Sequence, residues 1–173
     1  MQQKQIPKQQ QAKIIQVVLI LIIAAVVSYR AYQSLPDRVG ADFVRFSNTV
    51  LTPALSLLPD TKRITAAKTA AETSEAYAKD FVPVYADKIQ RLAAYQPKTP
   101  EVRRLRQQYL DGFQAMLQGY LDYTLAVQQK DTTKFASSAH DFLAGRATLA
   151  QAQQSGLALI KAHHLQIESK KKK

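Results

Sequence analysis

Few side chains in this 173-residue sequence stand at spacings that could do chemistry. His164 and Glu168 lie four apart, so on a helix they face the same way, a workable spacing for two ligands to one metal ion. His163 adjoins them, but two ligands near a fraying helix end do not close a site. Arg103, Arg104 and Arg106 form the densest basic group away from the chain ends. They fall in the first turns of an expected helix, the end where cations are disfavoured unless something anionic meets them. An anionic lipid headgroup, an anionic envelope polymer or an acidic protein surface would meet that description. The chain has no cysteine, which excludes a thiolate nucleophile, a disulfide and a cysteine metal site.

His140-Asp141 resembles the dipeptide that names the HD phosphohydrolases. That family needs a further histidine earlier in the chain, and none precedes His140. His140 also lies off the apolar row that holds Phe135 and Phe142, so the pair reads as a solvated surface feature. No Gly-x-Ser-x-Gly turn and no glycine-rich phosphate loop is present. The acidic residues are scattered singly. The expectation is a protein without catalytic residues, metal or cofactor.

The elements that would position these residues begin with an apolar run. Ile14 to Val27 reads IIQVVLILIIAAVV and follows a tail holding Lys4, Lys8 and Lys13 with no acid. A helix rises about 1.5 Å per residue, so the stretch Ile14 to Tyr29 sits at the short edge of what a hydrocarbon core of about 30 Å requires. Lys13 and Arg30 can snorkel at its ends, and Tyr29 and Tyr32 suit the interface. A cleaved signal peptide would need a small-residue site after the apolar core. Val26-Val27-Ser28 abuts that core without a spacer. The reading is an uncleaved transmembrane anchor over residues 14–32, with Ile14, Val17, Leu19, Leu21, Ile23, Val26, Tyr29 and Tyr32 in the bilayer. The N-terminus is expected on the cytoplasmic side and the remainder outside it, in the cell envelope.

The formal charge of +11 changes meaning once it is located. Lys4, Lys8, Lys13, Arg30 and Lys170–Lys173 account for eight of the 24 basic residues, leaving 16 against 13 acids between them. The basicity therefore belongs to the ends. A basic stripe across one folded face, as specific nucleic-acid binding would need, is not implied.

The rest of the chain reads as helix. Residues 1–13 form a Gln-rich tail, and 36–59 a juxtamembrane helical segment. In it Val39, Phe43, Phe46 and Val50 share a face, and Pro53 is expected to bend or end it. A bundle is expected over 61–167 and a basic tail over 168–173. Its first helix, Thr61 to Tyr95, should bury Ile64, Ala67, Ala71, Ser74, Ala78, Phe81, Tyr85, Ile89 and Leu92 and kink at Pro83. Thr99 should cap the second helix and Asp131 the third. On the second, Val102, Tyr109, Met116 and Tyr123 recur every seven residues beside Leu105, Gly112, Gly119 and Ala126. On the third, Phe135, Phe142, Leu149, Gly156 and His163 run beside Gly145, Ala152 and Leu159.

Bulky residues beside small ones on both helices predict an interdigitated, coiled-coil-like hairpin. Gly112, Gly119, Gly145 and Gly156 would mark close backbone approach, with Phe135 and Phe142 packing across it. A ligand groove beside Gly112, Gly119 and Gly156 is the alternative. The fold class is all-α: one N-terminal transmembrane helix, then an antiparallel bundle of three or four helices ending in a helical hairpin. The function expected is a single-pass, membrane-anchored binding or scaffold module. Its partners would be the lipid bilayer and either a protein or an anionic envelope polymer, and its oligomeric state is left open.

Overall fold

Helix starts and stops in this chain are set by a few polar residues and prolines. A computed structural model describes residues 37–165; the expected anchor and both tails lie outside them. All secondary structure among the described residues is helical, and no helix there is long and apolar enough to cross a membrane. α1 (Arg38–Phe46) runs through a π turn (Ser47–Leu51) into α2 (Thr52–Ser56), and α3 (Lys62–Ala66) follows. α4 (Ala70–Ala76) likewise runs through a π turn (Tyr77–Phe81) into α5 (Val82–Ala94). α6 (Pro100–Gln129) and α7 (Thr132–Ala162) complete the order.

Both interior prolines sit just after a π turn. As expected the segment ends soon after Pro53, at Ser56, while helix runs on past Pro83 to Ala94. Proline lacks an N–H and pushes against the carbonyl four residues back. The wider turn relieves both effects by shifting hydrogen bonding from i−4 to i−5. Thr52 N–H donates to the Ser47 carbonyl before Pro53, and Val82 N–H donates to the Tyr77 carbonyl before Pro83.

The expected continuous helix from Thr61 to Tyr95 is interrupted instead at residues 67–69. The cause is a capping box: Thr69 accepts from Glu72 N–H at 3.2 Å, while the Glu72 carboxylate accepts from Thr69 N–H at 3.1 Å. The break and the π turn shift the buried register. Ser74 and Leu92 are buried as expected, but Ala71 and Ala78 are exposed, and Ala76 and Lys88 are buried instead.

Asp131 caps α7 as expected, accepting from Thr133 N–H at 2.9 Å and Lys134 N–H at 3.3 Å. Thr99 does not cap α6 with its own side chain. Its hydroxyl donates to Asp42 on α1, and the Asp42 carboxylate takes the N–H groups of Lys98 and Thr99, all at 2.8 Å. An acid on one helix thus serves the start of another.

The core lies where α1, α5 and the first half of α6 meet. Phe46, Leu92 and Val102 are fully buried there with Leu105, and Phe43, Leu51, Tyr109, Leu110 and Phe113 surround them. Segment 36–59 therefore contributes to the same core as the bundle after it. Toward the other end of the hairpin, Tyr77, Phe81, Tyr85, Tyr120, Tyr123, Phe135 and Phe142 form a chain of tilted and edge-on ring contacts with centroids 4.8–6.0 Å apart.

α6 and α7 are antiparallel and joined through Lys130, which adopts the left-handed conformation with φ 54°. Small residues line their contact. A Cβ on Gly112 would lie 2.7 Å from the Leu149 side chain, and one on Gly119 would lie 2.8 Å from the Phe142 ring. One on Gly145 would meet Met116 N at 2.9 Å and Gly112 O at 3.0 Å, both backbone atoms. Gly156 differs: the nearest atom, in the Leu105 side chain, is 3.9 Å away.

Gly145→Ala is expected to cost about 1–3 kcal/mol by overpacking, because backbone cannot step aside as a side-chain tip can. Gly156→Ala is expected to gain up to about 1 kcal/mol from helix propensity. Guanidinium unfolding of the two variants checks both signs, and equal destabilisation would refute the distinction.

Candidate binding site

The three arginines singled out in the sequence do not act together. Arg103 and Arg104 are exposed. Arg106 is half-buried and donates from Nη1 to the Tyr95 carbonyl at 2.6 Å. Tyr95 ends α5, so the guanidinium sits at the negative end of that helix, where a cation is favoured. Only Arg103 and Arg104 remain as an outward-facing pair.

The histidines also stand apart. His140 has an 82% exposed side chain, with Nδ1 3.5 Å from Asp141 Oδ1. His163 and His164 follow the end of α7, with His164 exposed and at φ 49°. Among the described residues no three His, Cys, Asp or Glu side chains group as metal ligands, and Glu168 lies outside them. Phe142 fills the space over Gly119, and Phe135 stacks edge-on with Tyr123 at 5.4 Å. The spaces beside Gly112 and Gly119 are therefore occupied by protein.

An open cleft of about 280 Å³ lies beside that packed seam, lined by residues of α2, α6 and α7. Tyr109 and Phe113, one turn apart on α6, line it with rings stacked 6.2 Å apart. Leu149, Ala150, Gln153 and Arg146 line it from α7, and Leu55, 44% exposed, from α2. The lining combines apolar surface with one permanent cation and one amide, a combination suited to an amphipathic anion. Burial raises the Tyr109 hydroxyl above its ordinary pKa, so it is neutral at physiological pH.

Phe113 has a second role. The Lys88 ammonium lies 5.1 Å from its ring centroid and 5.0 Å from that of Tyr85, within cation–π range. Lys88 is only 5% exposed and makes no ion pair among the described residues. Burial therefore depresses its pKa. Lys88 and Asp42 are charged, yet each stands on an apolar row of the sequence. Lys88 lies three residues after Tyr85 and four before Leu92; Asp42 lies three after Val39 and four before Phe46. A charged residue in phase with a buried stripe is the signal that identifies them.

The chain matches no protein-family model, no curated protein and no solved structure. Its functional reading therefore rests on its own residues.

The depressed Lys88 pKa has a definite consequence for stability. Because the folded state favours the neutral amine, burying the cation opposes folding below its folded pKa. This penalty fades as pH rises through that value toward the ordinary 10.5. Lys88→Met should therefore be more stable than the parent at neutral pH, with the gap narrowing toward pH 10. Denaturant midpoints across pH check this, and a gap that widens with pH would refute it. Tyr77, Tyr109 and Tyr120, raised mainly by burial, act in the opposite sense and weaken the fold above pH 10 in both chains.

Proposed function

We propose that this chain is a single-pass membrane protein whose helical bundle, outside the cytoplasm, acts by binding or scaffolding without catalysis. The observation that carries the reading is the run IIQVVLILIIAAVV behind Lys4, Lys8 and Lys13. Written on a helix, that run would be apolar on every side, as a lipid environment demands, and the unopposed lysines favour the cytoplasmic face for its start. The bundle is consistent with a binding role. Its buried Asp42 and Ser138 are committed to backbone partners, with Ser138 Oγ donating to the Gly119 carbonyl at 3.0 Å. Alkaline washing of native membranes should leave the chain in the pellet with residues 14–32 intact by mass spectrometry, and deletion of 1–32 should release it. A mature chain beginning near Tyr29, or one freed by the wash, would overturn the anchor.

A second reading is favoured by the cleft: a sensor-type bundle that takes a small amphipathic carboxylate, its apolar part on Tyr109, Phe113 and Leu149 and its charge on Arg146. Charge-assisted hydrogen bonds contribute roughly 1.5–3 kcal/mol, so Arg146→Gln should weaken 4-phenylbutyrate binding by about tenfold or more. The neutral alcohol should bind both chains alike. Calorimetric titration tests this; an affinity unchanged by the substitution, or the absence of binding, counts against the reading.

A further inference from the structure

α7 packs one face against α6 and turns the other to water. On the open face Leu143 is 68% and Leu157 56% exposed. Ala136, Leu143, Ala150 and Leu157 recur every seven residues, and all four are exposed. Ala147 and Gln154, also exposed, occupy the adjoining row. The seam Leu143, Ala147, Ala150, Gln154, Leu157 thus alternates spacings of four and three, the repeat by which one helix packs along another. From Ala147 to Ile160 the helix has no ionisable side chain, in a chain of formal charge +11.

We propose that this seam is the contact between two copies of the chain, paired antiparallel about a two-fold axis near Ala150. Three observations select a second copy as the occupant. The four–three spacing fits a helix. Two copies laid against each other along this stretch bring no ionisable side chain of Ala147 to Ile160 into opposition. The seam is also self-complementary: leucines stand seven residues to either side of Ala150, so a two-fold rotation carries the Leu143 end of one copy onto the Leu157 end of the other, as an isologous interface requires. Antiparallel pairing sets the two Arg146 side chains about two turns apart, whereas parallel pairing would oppose them. The inference stands independently of the anchor, and because Ala150 also lines the cleft, pairing would cover the rim of that cleft.

The test uses the full chain in detergent micelles. Sedimentation equilibrium, corrected for bound detergent, should give the mass of two chains. Leu143→Glu/Leu157→Glu should give that of one with unchanged circular dichroism, since both positions are exposed. The native lack of cysteine permits a second measurement. Ala150→Cys should form a disulfide-linked dimer on mild oxidation faster than Gln114→Cys, an exposed position on α6. A parent chain with the mass of one copy overturns the proposal and leaves the seam to another protein or to lipid. So does a double variant that retains the mass of two, which would place self-association elsewhere. Equal cross-linking at the two cysteine positions also overturns it.

Discussion

The carboxylate of Asp42 lies at the start of the 30-residue α6, where the unpaired N–H groups of a helix gather partial positive charge. Its Oδ2 accepts from Lys98 N–H, Thr99 N–H and the Thr99 hydroxyl, and its Oδ1 lies 3.4 Å from the Tyr95 hydroxyl. Hydrogen bonds to a charged acceptor contribute roughly 1.5–3 kcal/mol each, and stranding the donors in a buried site would add their desolvation. Asp42 is itself 4% exposed, so carboxylate and helix start compensate each other. This one residue sets the corner between α5 and α6 and holds α1 against both. Phe43 and Phe46 then fall into the core, and Phe46 meets the Tyr95 ring at 5.3 Å. Arg106 completes the corner from the other side by serving the end of α5. Acid at one helix start and base at a neighbouring helix end are both electrically favourable.

Beyond that corner the fold is governed by how closely α6 and α7 approach. Gly112 and Gly145 let the backbones come together, and Leu149 and Phe142 then fill the spaces that the glycines leave. The spaces beside Gly112 and Gly119 are thus filled by protein, as close packing of the two helices requires, while Gly156 keeps more room. The cleft lies beside them, where Leu55 on α2 faces the pair. The π turns belong to the same economy of packing. Each accommodates a proline within continuous helical backbone, and Tyr77, Phe81 and Tyr85 share one aromatic network across the second turn.

These features leave two surfaces with chemistry to offer. One is the cleft, apolar within and cationic at Arg146. The other is the outer face of α7 between Ala147 and Ile160, where no side chain is ionisable. Lys88 is the exception to a quiet interior: a cation held by two aromatic faces, whose burial opposes folding near neutral pH.

The residues by themselves determined the all-helical class, the hairpin turn at Asp131 and the small–large rows of α6 and α7. These follow from local propensity, capping and periodicity, which act within a few turns of chain. The capping box at Thr69 was equally local and could have been read from Thr69-x-x-Glu72. The loan of Asp42 to α6, the separation of Arg106 from Arg103 and Arg104, and the position of the cleft were decided only by tertiary structure. Each depends on which distant backbone group or side chain arrives at a given spot, and such partners lie up to 57 residues apart along the chain. Periodicity can place a residue on a face, but which neighbour that face meets is settled by packing the helices together.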